Sequence, residues 1–346
     1  MEMRKAARGV ILEAIAREMQ TGVLVLDAHA RVLYANPFFL RSFPAGDGAE
    51  GLPIGELVKN GLLLDTIEGF IRDTGRPPES IEIGEGARFF NVRLVPLSDE
   101  AGFSLLLFLR DTTEEKKVET IKKDFVANVS HELRTPLASI KGYSETLLDG
   151  AMEDESTTRE FLRVIDRHAT RMARLIDDLL ILSRLESHQM PVVASALDLR
   201  DLVLCTAKGF EKQANDKGIS LCTQIPEGLP KVSGDRDRLE QVVVNLLDNA
   251  IKYTPSGGNV NVRAAVEGPD VVVEVTDTGI GIPPDDISRI FERFYRVDKA
   301  RSRDLGGTGL GLAIVKHIMQ IHNGSLNVRS DPGRGSSFSF SLKACA

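Results

Sequence analysis

Between Phe161 and Leu182, packable residues return at alternating intervals of four and three: Phe161, Ile165, His168, Met172, Leu175, Leu179 and Leu182. A heptad seam of this kind commits the stretch to a helix that must lie along another helix. A partner precedes it. Val118, Ile121, Phe125, Val129 and Leu133 are spaced by three and four, which predicts one long helix running to about Leu148. Thr112 to Glu115 offers a capping box at its start, and Asp149-Gly150 ends it. A charged loop through Ser156 makes the pair an antiparallel hairpin. Its apolar stripes are too broad for one partner, so two copies are expected to pack as a homodimeric four-helix bundle. His168 on the seam reads as a packed structural histidine and His188, past it, as a surface residue.

The first hairpin helix carries Ser130-His131-Glu132-Leu133-Arg134-Thr135-Pro136-Leu137. A neutral imidazole has a lone pair at pH 7, so His131 is a candidate nucleophile. Glu132 stands ready to take its proton, and Thr135, four residues on, shares its helical face. Pro136 cannot donate to the carbonyl of Glu132 and crowds it, so the helix should bend or loosen beside the histidine.

With 346 residues the chain has room for two or three domains. A net charge of −7 argues against a nucleic-acid binder. No stretch approaches the ~18 apolar residues of a membrane helix; Leu105 to Leu109 reads as a buried strand. Met1 to Gln20 mixes charged and apolar residues as an amphipathic helix, not a signal peptide. Cys205, Cys222 and Cys345 have no metal-ligand spacing, and a reducing cytoplasm is the expected location.

From Gly22 to Thr112 the pattern gives a hairpin of strands (Val23 to Leu26, Arg31 to Ala35), then a helix capped by Asn36 with Pro37 in its first turn. Glycine-rich loops from Gly46 to Gly55 follow, then a helix from Leu63 to Arg72. Three more strands are expected at Ser80 to Ile83, Phe89 to Val95 and Phe103 to Leu109. This order, with the entry Gly22-Val23-Leu24-Val25-Leu26-Asp27 and the exit Arg110-Asp111-Thr112-Thr113, resembles a PAS sensor domain. His29 reads as a solvated turn residue, and nothing fixes a ligand.

Gln189 to Ala196, with Pro191, reads as a linker. Beyond it helices and strands alternate: helices at Leu199 to Asn215, Asp235 to Tyr253, Asp285 to Arg293 and Gly309 to His322, and strands at Ile219 to Gln224, Asn259 to Val266, Val271 to Thr276, Ser325 to Arg329 and Ser336 to Leu342. Four motifs lie on this frame. Asn245 and Asn249 share a helix face, either as amide ligands for Mg²⁺ or as a plain polar face; Lys252 and Tyr253 follow. Asp277-Thr278-Gly279-Ile280-Gly281 ends a strand, either as an acceptor for an adenine amino group or as a simple turn. Ile290-Phe291-Glu292-Arg293-Phe294-Tyr295-Arg296 has aromatics to anchor a loop and arginines for phosphate, with Lys299, Arg301 and Arg303 beyond. Gly306-Gly307-Thr308-Gly309-Leu310-Gly311 opens a helix, where free N–H groups suit phosphate. It lacks the Gly-Lys-Ser/Thr of a P-loop and the strand and acidic residue of a dinucleotide fingerprint.

Together these resemble, in order and spacing, the N, G1, F and G2 boxes of sensor histidine kinases, and the stretch around His131 resembles the H box. The chain is similar to PAS-containing kinases of the phosphate-sensor-like class. The resemblance implies a multidomain α+β architecture: an N-terminal helix (1–20), a PAS domain (21–113), a dimerising phosphotransfer hairpin (114–190), and an α/β-sandwich ATP-binding domain of the gyrase and Hsp90 type (191–346). It implies that His131 accepts phosphate from ATP, Glu132 acts as base, and Thr135 serves the reverse reaction. It places Mg²⁺ on Asn249 and Asn245, adenine on Asp277, and phosphates and ribose on Lys252, Tyr253 and Arg296. Gly279, Gly281, Gly307, Thr308, Gly309, Leu310 and Gly311 would shape the pocket and its lid. The implied partner is the aspartate of a response regulator. Alternative readings are a phosphatase or scaffold with weak kinase output, and a chaperone-like ATPase. A membrane tether is expected only if the natural protein is longer.

Overall fold

The structure is a computed structural model, and it describes residues 11, 14–43, 48–73, 75–97, 104–186, 193–298 and 307–345. Most of the expected N-terminal helix, together with His188, Pro191, Lys299, Arg301, Arg303 and Gly306, lies outside the described residues. The chain divides into two compact units, Met1–Asp124 and Phe125–Ala346.

In the first unit, β1 (Gly22–Leu26) and β2 (Val32–Ala35) form the hairpin. Helices α1 (Pro37–Ser42), α2 (Ile54–Leu57) and α3 (Gly61–Arg72) follow, then β3 (Glu79–Glu85), β4 (Arg88–Pro96) and β5 (Leu105–Asp111). The antiparallel sheet runs β2-β1-β5-β4-β3. Alternation along β4 and β5 buries Phe90, Val92, Leu94, Leu105, Leu107 and Leu109 on one face, against Leu63, Ile67 and Phe70 of α3. The short helix α2 was not expected: glycines on either side obscure a single turn that buries Ile54 and Leu57.

Asn36 ties this unit together. Its Oδ1 accepts from the N–H groups of Val23 (2.9 Å) and Phe39 (3.0 Å), and its Nδ2 donates to the carbonyls of Ala16 (2.7 Å) and Thr21 (2.9 Å). The side chain is fully buried. It therefore caps α1, pins β1 and holds the segment entering the sheet.

Helix α4 (Thr113–Leu148) begins in the first unit and ends in the second. The expected capping box does not form. Thr112 Oγ1 is buried without a partner, and Asp111 caps the helix instead, accepting from the N–H and hydroxyl of Thr113. Burial opposes the Asp111 charge, but hydrogen bonds from Thr113 and Arg88 outweigh it and hold the carboxyl at about 2. An ionised acceptor bonds more strongly than a hydroxyl, so the carboxylate takes the cap. Glu115 pairs with Arg110. Helix α4 runs through Pro136 without interruption.

In the second unit a turn through Gly150, in the left-handed region at φ 119°, leads to α5 (Glu155–Glu186). Tyr143 and Phe161 stack edge-on at 4.9 Å across the hairpin. The seam behaves differently along its length. Leu175, Leu182 and Leu185 leave the hairpin and enter the core of the sheet-bearing part. That part contains α6 (Leu199–Asp216), β7 (Ser220–Gln224), α7 (Arg236–Tyr253), β9 (Asn259–Glu267), β10 (Asp270–Asp277), α8 (Pro284–Ile287), α9 (Gly311–Ile321), β11 (Ser325–Asp331) and β12 (Gly335–Lys343). Its sheet runs β11-β12-β10-β9-β7, antiparallel except where β7 meets β9. One sheet face and the apolar faces of α6, α7 and α9 enclose the core. Part of the expected linker is a strand: β6 (Ser195–Leu197) pairs with β8 (Val232–Gly234). The helix expected from Asp285 to Arg293 is confined to Pro284–Ile287, and turns follow. Phe294 adopts φ 62°, a conformation no helix contains.

Removing the Asn36 side chain leaves two N–H donors and two carbonyls unsatisfied around a buried gap. Asn36→Ala should destabilise the first unit by about 3 kcal/mol, read as loss of its cooperative transition in denaturant. An unchanged midpoint would contradict the role given to Asn36.

Candidate functional site

His131 and Glu132 are neighbours on α4, so their side chains diverge by about 100° around the helix. His131 is exposed. Thr135, one turn on, donates its hydroxyl to the His131 carbonyl at 3.2 Å. Glu132 turns inward, with 15% of its side chain exposed. Its Oε2 accepts from Arg171 Nη2 of α5 at 2.8 Å and from Arg296 Nη2 at 3.3 Å. Phe125, two turns earlier on α4, meets Phe294 at 6.0 Å and lies under the Arg293 guanidinium at 5.4 Å.

Helix α7 is capped by Asp235, which accepts from the N–H groups of Asp237 and Arg238. Asn245, Asn249 and Lys252 recur on it at intervals of four and three, on one face. Asn245 Nδ2 donates to the Gln241 carbonyl at 2.9 Å, which leaves its oxygen facing the start of α9. A Cβ at Gly311 would come within 2.7 Å of that oxygen, so a side chain there would push the Asn245 amide aside. Lys252 Nζ lies 5.4 Å from the Tyr253 ring centroid. Its pKa is pushed down to about 8: burial is the main cause, Asp248 opposes it, and Arg296, Arg171 and Arg174 add to it.

Asp277 ends β10 and is 7% exposed. Burial pushes its pKa up, against hydrogen bonds from the backbones of Gly279 and Ser336; the Gly279 N–H lies 2.8 Å from Oδ1. Gly281 has φ 70°, and a Cβ there would stand 2.0 Å from the Asp331 carbonyl oxygen. No other residue fits that approach of the loop to the turn after β11. Tyr253 receives this loop through its carbonyl, which accepts from Ile280 at 3.3 Å.

The segment before α9 folds onto both neighbours. Arg296 donates to the Gly307 carbonyl. Gly309 accepts from the Phe294 N–H at 2.8 Å. Leu310 is buried, and its N–H reaches the Thr308 hydroxyl at 3.3 Å. Thr308 in turn donates to Asp178 Oδ2 of α5 at 2.8 Å. Burial pushes the Asp178 carboxyl up, the Thr308 hydrogen bond opposes this, and Asp177 and Asp248 add to it.

The residues expected from the four C-terminal motifs thus gather where α7, the end of β10 and the start of α9 meet, while His131 and Thr135 stand exposed on α4. Lys252, Arg296, Arg171 and Arg174 make a mutually repelling cationic cluster there. A polyphosphate is the ligand that such a cluster fits, with the paired amides of Asn245 and Asn249 able to supply oxygens to Mg²⁺. Four contributors, Arg171, Arg174, Asp178 and Lys217, escaped the sequence reading. Arg171 and Asp178 lie on α5 with Arg174, at intervals of three and four, and so share one polar face beside the seam. That periodicity was the available signal. Lys217 donates to the carbonyls of Ile251 and Lys252, both at 2.7 Å, and so closes the end of α7; nothing in the sequence pairs it with that helix.

Residues 121–188 match the model of the His Kinase A (phospho-acceptor) domain, and residues 234–345 that of the histidine kinase-, DNA gyrase B- and HSP90-like ATPase. The chain is 41% identical to the sensor-like histidine kinase SenX3 of Mycolicibacterium smegmatis, over 71% of this chain and 64% of that protein. It is 35% identical to SenX3 of Mycobacterium bovis, over 96% of this chain and 80% of the relative. Against the alginate biosynthesis sensor protein KinB of Pseudomonas aeruginosa the figures are 30%, 94% and 56%. The chain therefore spans between about half and four-fifths of these relatives. Among solved structures, the histidine kinase ThkA in complex with the response regulator protein TrrA has a similar fold, with a TM-score of 0.55 at 20% identity, covering 96% of this chain and 98% of that one. Among the described residues no helix is long and apolar enough to cross a membrane. The phosphoacceptor hairpin, the ATPase-type sheet and the likeness to SenX3 over 96% of this chain place it in the sensor histidine kinase family.

Proposed function

We propose that this chain is an ATP-dependent protein-histidine kinase that phosphorylates His131 and passes the phosphoryl group to an aspartate of a response regulator. The observation that carries the reading is the cationic cluster of Lys252, Arg296, Arg171 and Arg174, which lies in the same unit as the His131 helix. Phosphoryl transfer depends on positioning and on neutralising charge more than on covalent machinery. One ring nitrogen of His131 attacks the γ-phosphorus, the bond to the bridging oxygen breaks and ADP leaves. The proton on the other ring nitrogen passes to the Glu132 carboxylate. Asp277 accepts from the adenine amino group, and Lys252 and Arg296 hold the phosphates. Asn249 and Asn245 hold Mg²⁺, which supplies neutralising charge when bound. Thr135, a turn from His131, serves the reverse reaction by placing a water on the phosphorylated regulator.

The first unit is assigned as a PAS-type sensor. Its sheet order β2-β1-β5-β4-β3, with three helices between β2 and β3, supports this. Its exit is firmly tied: Thr113 accepts from the Phe89 N–H at 2.9 Å, and Lys116 pairs with Glu82 at 2.7 Å. Movement of the sheet is therefore passed to the start of α4. A homodimer is supported by the face of α5 opposite the sheet-bearing part, where Leu162, Ile176 and Leu180 are exposed. A cytoplasmic location follows from the need for ATP and a regulator.

Incubation with Mg²⁺ and ATP labelled on its γ-phosphate should give acid-labile, base-stable label that is lost in His131→Gln. Sustained ATP turnover without label, surviving His131→Gln, would overturn the reading in favour of an ATPase. A second expectation comes from Lys252. Its folded pKa is lowered, so between about pH 8 and its unfolded value near 10.5 the unfolded chain binds more protons. Stability of the nucleotide-free protein therefore rises as pH rises through that window. A bound triphosphate reverses the penalty, so at pH 8 nucleotide binding should take up about half a proton, falling towards zero at pH 6.5. Calorimetry in buffers of different ionisation enthalpy measures this, and Lys252→Met should abolish it.

A further inference from the structure

We propose that Arg171 of α5 is the positioning residue for Glu132: it fixes the carboxylate from the hairpin side, independently of Arg296, so that the base stays oriented when Arg296 turns to the phosphates. This rests on the kinase reading above. The geometry separates the two arginines. Arg171 Nη2 lies 2.8 Å from Oε2, with 13% of its side chain exposed, whereas Arg296 Nη2 lies at 3.3 Å. Arg171 and Glu132 both belong to the helical hairpin, on α5 and α4, so their contact needs no help from the sheet-bearing part. Arg296 stands on the loop after α8 and also donates to the Gly307 carbonyl. Its hold on Glu132 therefore depends on that loop.

The charges facing Glu132 decide which partner persists. Two cations contact it: Arg171 from α5 and Arg296 from the loop after α8. A triphosphate in the cationic cluster competes for Lys252 and Arg296, the latter bonded to the segment before α9. Arg171 is fixed by the hairpin and already gives Glu132 its shorter contact. A carboxylate that has to collect a proton from its neighbour His131 needs one fixed orientation, since it has two rotatable bonds beyond its Cβ. Outer partners that orient a reacting group in this way typically matter by about 10- to 100-fold.

The test is a double-mutant cycle on His131 phosphorylation in single turnover at saturating ATP, using the whole chain. Arg171→Ala should slow the step at least about tenfold, and the loss should persist at ATP concentrations that saturate the variant, its nucleotide affinity being measured separately with a fluorescent ATP analogue. Arg171→Lys should recover part of the rate, because a cation returns to the same carboxylate. In a Glu132→Gln background, Arg171→Ala should cost nothing further, because its effect passes through the carboxylate. Independent, additive losses would overturn the proposal, as would a loss confined to nucleotide affinity, or equal losses in the Ala and Lys variants. An unaltered rate in Arg171→Ala would do the same. Wild-type protein that leaves His131 unlabelled would instead sink the kinase reading, so the two failures are distinguishable.

Discussion

Leu175, Leu182 and Leu185 sit on a hairpin helix, yet their side chains complete the core of the sheet-bearing part, where each is less than 5% exposed. Each contributes roughly 1.5–3 kcal/mol when fully buried, more than any single ion pair across that junction. Everything at the site follows from this anchoring. It fixes the rotation of α5, which places Asp178 against Thr308 before α9 and Arg171 against Glu132, and sets Ile176 and Leu180 outward. One helix thereby serves two partners, with apolar stripes on different faces. An all-hairpin seam would have left the ATPase-type part without this anchor.

On this anchor the polar contacts choose an orientation. Thr308 to Asp178, and Arg296 to Glu132, each link the segment before α9 or the loop after α8 to the hairpin. Exposed contacts of this type count for little, but Arg296, Glu132 and Arg171 have side chains only 6%, 15% and 13% exposed. At such burial the cost of an unmatched charge is large. Burial pushes Asp178 towards its neutral form, with Asp177 and Asp248 adding to it, and burial with the neighbouring arginines pushes Lys252 down.

Much of this was legible in the chain. Heptad and alternating spacing report backbone periodicity directly, and the helices and strands around Leu175, Phe340 and Leu107 follow it. The first glycine motif was legible because Gly281, at positive φ, stands where a Cβ would collide with the Asp331 backbone. Failures occurred where tertiary partners overrule local chemistry. Asp111, ionised by Arg88 from a neighbouring strand, displaced Thr112 from the cap. Ser195–Leu197 became a strand because Val232–Gly234 offered it an edge. The grip on Glu132 joins residues 39 and 164 positions apart, a pairing that no local pattern encodes.

Arg296 has one guanidinium and more than one claim on it. On the proposed reading the nucleotide phosphates need it; in this arrangement Glu132 and the Gly307 carbonyl hold it. A ligand shifts such an equilibrium only by its differential affinity for the two arrangements. A triphosphate carries more charge than one carboxylate and meets Lys252 as well, so it favours the arrangement in which Arg296 faces the nucleotide. On the proposed reading the same exchange leaves Arg171 as the partner of Glu132. Nucleotide loading and the hold on the base are then joined through a single arginine, and the leucine anchor of α5 keeps Arg171 in place while Arg296 moves between them.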